Sequence, residues 1–291
     1  MSDDAVPARA VPANDAAVPF WAHLLPFVVP ALVLHLAEGL GVWSYAIAVA
    51  AGAALAVRFR PWRDRPVWSH VAPYVAWLSI LFGWDHPTAW KYVVLTALGT
   101  GLLLSGRPWR YYPAPRLRYV PAGVAVGLLV FILWVGAETP WMQRHAPGFH
   151  EFYLRFFGNL SGFGKRPAPL TETPYAPEVC GWALSIVRLC GSAFVIAAIE
   201  EFFFRGFLYR WLMGSDFLKV DAGRFDRLAF FAVAVIFGFE HETWLAGILC
   251  GLLYGGLYVR TRDLWAPIVA HVTTNFVLGL YVLATGAYRL W

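Results

Sequence analysis

EVCGWALSIVRLCGSAFVIAAIEEFFFRGFLYRWLM, residues 178–213, is the stretch whose reading decides the fold. A bilayer core takes about 20 apolar residues per helix, so this run exceeds one crossing and its end is expected to emerge or lie along the interface. Further apolar blocks stand at 19–40, 41–57, 69–84, 90–105, 119–137, 228–243, 245–259 and 264–284. Together they predict an all-α, polytopic transmembrane helical bundle of about 8–9 spans. Composition agrees. Of 291 residues, 59% are hydrophobic and only 14% charged, with 15 Trp, 13 Tyr and 22 Phe; soluble domains carry roughly 25% charged residues, and aromatics collect at membrane interfaces.

The net charge of +5 does not point to nucleic acid, because the basic residues sit in loops between apolar blocks, as topology signals do. Arg58, Arg60, Arg63 and Arg65 mark one loop; Arg107, Arg110, Arg116 and Arg118 mark another; 214–227 and Arg260-Thr261-Arg262 are also basic. The connections around Glu38 and at Asp85-His86 lack Lys and Arg. This alternation places the N-terminus and the arginine loops in the cytoplasm. Residues 1–17 read as a disordered tail, 18–137 as N-terminal transmembrane helices and 138–177 as an external loop. Within that loop Phe149–Phe157 forms an interfacial amphipathic helix. Residues 178–291 read as the core that carries the chemistry. Three cysteines, Cys180, Cys190 and Cys250, form no C-x-x-C pair and suggest neither a disulfide framework nor a zinc ribbon. Gly247, Gly251 and Gly255 are spaced for close helix packing.

Ionisable residues within lipid are costly and mark functional positions. Glu200-Glu201-Phe-Phe-Phe-Arg205 puts Glu201 and Arg205 at i,i+4, on one helix face, where they can pair. Glu200 lies about 100° round the helix and is left for acid–base work, unless it merely sits at a wet interface. Phe237-Gly-Phe-Glu-His241-Glu242 begins like H-E-x-x-H, but Leu245 stands where the second histidine should be, so the zincin motif fails. His271-Val-Thr-Thr-Asn275 places a histidine and an amide on one face, able to donate hydrogen bonds to one point or to serve as polar glue between helices. At ~1.5 Å per residue, Glu200 lies about 15 Å before Arg210, His241 about 20 Å past Arg227 and His271 about 12 Å past Asp263. Those depths, all counted from one side, bring the three motifs to a common level. A carboxylate in an apolar setting makes a general base near neutral pH, and donors beside it can hold an oxyanion. Ser161 lacks a G-x-S-x-G context and no cysteine neighbours the motifs, so water is the expected nucleophile. The same cluster would also serve a non-catalytic membrane protein, a transporter or an assembly factor, for binding or proton relay.

The ordered triple E-E-x-x-x-R, F-x-x-x-H and H-x-x-x-N resembles the CPBP family of CAAX proteases and bacteriocin-processing enzymes, over about residues 178–284. The tail LGLYVLATGAYRLW also resembles CAAX protease-related proteins found beside bacterial exosortase systems. The resemblance implies a membrane endopeptidase in which Glu200 and His241 activate water and His271 and Asn275 bind the oxyanion. It makes Glu201, Arg205 and Phe237 supporting residues. It leaves open whether the enzyme is of glutamate type or metallo type, with zinc on Glu200, His241 and His271. Membrane lipid and a peptide or protein substrate are the implied partners, and a bacterial inner membrane the implied location.

Overall fold

The computed structural model describes residues 19–36, 42–83, 88–167 and 173–291. Residues 1–17, Glu38 and Asp85-His86 therefore lie outside the described residues. Helices α1 (Trp21–Leu36), α2 (Val42–Phe59), α3 (Arg65–Gly83), α4 (Ala89–Gly106) and α5 (Val120–Gly136) follow the first five apolar blocks. Short helices α6 (Pro140–His145) and α7 (Pro147–Phe156) occupy the long connection, where an amphipathic helix was expected. A four-residue turn, α8 (Pro177–Cys180), precedes the continuous helix α9 (Trp182–Met213). The chain then closes with α10 (Arg227–Gly238), α11 (Trp244–Thr261) and α12 (Trp265–Thr285).

The protein is all-helical, with no strand among the described residues. Among the described residues, four segments are long and apolar enough to cross a membrane: Leu117–Gly136, Trp182–Met213, Trp244–Thr261 and Trp265–Thr285. Their outward faces are greasy. Leu129, Ile132 and Leu133 of α5, Phe194 of α9 and Leu228 and Phe231 of α10 are exposed large hydrophobics. Water would not tolerate so broad an apolar surface, whereas lipid supplies its partner.

Packing is close where side chains are small. A Cβ on Gly247 would stand 2.9 Å from the Gly238 Cα, and one on Gly251 would stand 2.8 Å from the Ala234 Cα. The glycine spacing in α11 thus serves contact with α10. A second small-residue seam joins α5 to α12, where a Cβ on Gly123 would stand 2.9 Å from the Ala266 carbonyl and one on Gly127 would run into the Ala270 carbonyl. Without a hydrophobic drive between helices in lipid, such backbone approach is what holds them together.

The arginine loops gather at one end. The 111–116 and 221–222 loops and the Arg262–Trp265 turn line one cavity there. Arg107 and Arg262 terminate α4 and α11 in left-handed backbone (φ 51° and 53°), each donating its N–H four residues back at 2.7 and 2.8 Å. The opposite end carries α6 and α7 and the turn between α10 and α11.

Gly127→Val is expected to push α5 off α12 and lower stability by about 1–3 kcal/mol, the usual cost of overpacking. Thermal unfolding of the purified protein in detergent checks this, with Gly101→Val, whose Cβ would meet nothing within 4 Å, as the control.

Candidate active site

Glu200 and Glu201 close the α-helical stretch Ala197–Glu201, which lies between two π-helical stretches of α9, Gly191–Ile196 and Phe202–Leu208. A π turn adds a residue to the helical repeat and re-aims the side chains beyond it, which is why such turns recur at functional sites. Here Glu201 and Arg205 are both almost wholly buried, at 0% and 1% exposure. Arg205 Nη1 donates to Glu201 Oε1 at 2.9 Å and Nη2 to the Gly251 carbonyl at 3.1 Å. Its guanidinium lies over the Phe237 ring at 4.7 Å and the Tyr254 ring at 5.5 Å. One side chain of α9 therefore holds α10 and α11.

The expected Glu201–Arg205 pair is present, but Glu201 does more than hold Arg205. Its Oε1 also accepts from His271 Nδ1 at 3.0 Å. With Nδ1 so engaged, Nε2 of His271 faces Glu200 Oε2 across 3.5 Å. His271 of α12 is thus held between the two adjacent glutamates of α9. The second-layer carboxylate selects its tautomer and its ring orientation. Tyr254 packs against the same ring at 5.1 Å, and its hydroxyl donates to Thr274 Oγ1 at 2.6 Å. Thr274 in turn donates to the Gly127 carbonyl of α5 at 2.8 Å.

His241 stands on the turn after α10, with Nδ1 donating to the Phe237 carbonyl at 2.9 Å. Its Nε2 is then the acceptor nitrogen of the neutral ring. Phe237 stands between the histidines, with ring centroids 5.1 Å from His241 and 5.8 Å from His271. Trp134 of α5 meets His241 edge-on at 5.1 Å. The loop after α7 fastens this turn. Leu160 N–H donates to the Glu242 carbonyl at 3.1 Å, and Ser161 N–H and Oγ–H donate to the Glu242 carboxylate at 3.1 and 3.0 Å. Trp244 Nε1 donates to the Phe156 carbonyl at 2.8 Å. Asn275, one turn beyond His271, donates from Nδ2 to the Ser192 carbonyl at 3.1 Å, in the first π stretch.

The structure therefore joins Glu200, Glu201, Arg205 and His271 directly, and sets His241 beside them across Phe237. One N–H of the Asn275 amide is committed to the helix backbone. Tyr254, Trp134, Ser192 and the Gly251 carbonyl are functional-site neighbours that the motifs did not reveal. Only Gly251 had a signal, in its four-residue glycine spacing; the aromatics are lost among many others.

Glu200, His241 and His271 are also the candidate zinc ligands, and both histidines keep Nδ1 occupied by a hydrogen-bond partner, as ligands that bind through Nε2 do. Among the described residues, however, no three His, Cys, Asp or Glu side chains come together closely enough to hold an ion. As arranged, these residues do not fit a metal.

All three motifs lie within residues 182–277, which match the family described as Rce1-like, type II CAAX prenyl endopeptidase Rce1-like. The match covers about a third of the chain, and over those residues the chain is similar to that family. No curated protein and no solved structure matches. The matched segment runs from α9 to the middle of α12, so every helix that supplies a motif residue falls at least partly within it.

Arg205→Met leaves the buried Glu201 carboxylate without its counter-charge and is expected to cost about 3–5 kcal/mol. Tyr254→Phe loses one hydrogen bond and is expected to cost about 1 kcal/mol. Thermal unfolding in detergent orders the two variants.

Proposed function

We propose that the chain is an intramembrane endopeptidase that hydrolyses a peptide bond of a membrane-delivered protein or peptide with directly activated water. The observation that carries this reading is the approach of Glu200 to His271, 3.5 Å apart, within the segment that matches a protease family.

Glu200 accepts a proton from water as the water oxygen attacks the scissile carbonyl carbon. His241 Nε2, an acceptor while its Nδ1 is tied to Phe237, shares in orienting that water. The C–O double bond opens to an oxyanion, which Asn275 meets through its second amide N–H and His271, as the doubly protonated imidazolium, through Nε2–H. The C–N bond then breaks, and the proton taken up by Glu200 passes to the departing amine. Glu201 and Arg205 keep His271 oriented while this happens. No step requires a protein nucleophile.

In this reading the bundle has about 8–9 spans and lies in a bacterial inner membrane, with the N-terminus and the arginine end cytoplasmic. The chain falls in the exosortase-associated subgroup, whose members would act on a sorted or maturing peptide. The family match favours protease activity over a transporter or assembly factor.

Glu200→Ala is expected to abolish cleavage, by at least about a hundredfold, while the unfolding temperature stays close to that of the native protein. The measurement compares the membrane proteome of cells making the native chain with that of cells making the variant. Full processing by Glu200→Ala would sink the assignment.

A further inference from the structure

At the arginine end, outside the site described above, a cavity of about 320 Å³ lies between the loop before α5, the loop after α9 and the turn from α11 into α12. Its size is at the small end of ligand sites. Arg210, 7% exposed, forms part of its wall. Its Nε donates to the Val220 carbonyl at 3.0 Å and its Nη2 to the Leu218 and Val220 carbonyls, both at 2.8 Å. Among the described residues no carboxylate pairs with it: Asp216 pairs with Lys219, and Asp221 with Arg262. A buried guanidinium without a counter-ion is costly and calls for an anion.

Of the neighbouring polar groups, one hydroxyl keeps a proton to donate. His70 Nδ1 is bound to the Pro66 carbonyl at 2.6 Å, so its Nε2 accepts from the Tyr112 hydroxyl at 2.9 Å. The Tyr112 oxygen is left to receive Arg210, which it faces. The Tyr258 hydroxyl also faces Arg210, but at 1% residue exposure its own proton finds no acceptor. Arg116 and Arg262 complete the positive wall. The two acids of the cavity are occupied. Asp263 accepts the Arg116 and Trp265 N–H groups at 3.0 and 2.9 Å. Asp221 accepts the Gly223 N–H at 2.7 Å and lies 4.0 Å from Arg262 Nη1. Three arginines and an unused hydroxyl proton therefore face two carboxylates that are already engaged.

We propose that this cavity binds a phosphate group, supplied by the headgroup of an acidic phospholipid. The height of the cavity argues for lipid. It is built from the ends of Trp182–Met213, Trp244–Thr261 and Trp265–Thr285 and from the loop leading into Leu117–Gly136. Headgroups lie just beyond the hydrocarbon core, at the ends of spanning helices, and basic pockets there hold acidic headgroups. Trp265, with its Nε1 bonded to the Pro113 carbonyl at 2.9 Å, gives the rim an aromatic of the kind found at that level. Arg210 fastens the loop after α9, and the same helix carries Glu200, so an occupant would steady the end of the catalytic helix.

The test titrates phosphatidylglycerol, and separately inorganic phosphate, into the full delipidated chain in neutral detergent, read by native mass spectrometry and thermal unfolding. Saturable binding of one phosphatidylglycerol is expected, weakened about tenfold by Arg262→Gln and by Tyr258→Phe, each of which removes a donor worth at least ~1.4 kcal/mol. Both variants leave the Arg210 backbone bonds in place, and Arg58→Gln, an exposed arginine outside the cavity, should change nothing. Phosphate binding as tight as lipid and equally sensitive would keep the phosphate site and assign it a soluble source. Lipid binding indifferent to both variants would overturn the proposal. So would competition by a peptide with a free C-terminal carboxylate where phosphate does not compete, which would make the cavity part of the substrate path.

Discussion

A guanidinium enclosed by helices and lipid must find its counter-charge within the protein, and Arg205 is enclosed completely. Its partner, Glu201, is one helical turn away, so the pair forms as soon as α9 does. Desolvating both charges is repaid only if the remaining donors and acceptors are met. The Gly251 carbonyl takes the second Arg205 nitrogen, the faces of Phe237 and Tyr254 take its plane, and Glu201 also takes the His271 proton. Four helices converge because one ion pair needs them. The residue that would act on water, Glu200, is adjacent in sequence to this fixed point and inherits its rigidity.

Small residues make that convergence possible. Gly251 can present its carbonyl to Arg205 only because it lies against Ala234 without a side chain between them, and Gly127 can accept from Thr274 only because α5 touches the backbone of α12. The apolar seams and the polar cluster are therefore one construction. At the two ends the solutions differ. Around His241 the loop after α7 is pinned by hydrogen bonds from Leu160, Ser161 and Trp244. At the arginine end Arg210 is tied to loop carbonyls and left without an acid.

Much of the site was legible in the chain because helical geometry links spacing to direction. The i,i+4 pairing of Glu201 with Arg205 needed only the repeat, and the common depth of Glu200, His241 and His271 needed only the rise per residue. The second role of Glu201 was not legible, since it depends on how α12 lies against α9. Nor was the engagement of Asn275 with Ser192, whose carbonyl lies in a π-helical stretch that no spacing rule announces.

The sequence by itself determined that the chain is a helical membrane protein, where its helices run and which few polar residues they carry inward, because lipid leaves an unpaired polar group no alternative partner. EVCGWALSIVRLCGSAFVIAAIEEFFFRGFLYRWLM was readable as an apolar run longer than one crossing that bears a pair of acids. Only the tertiary structure decided that His271 stands between those acids, that His241 is held apart by Phe237, and that Arg210 faces an unpaired tyrosine hydroxyl. Those relations cross between helices, and their distances follow from rotation and packing, which local periodicity does not encode.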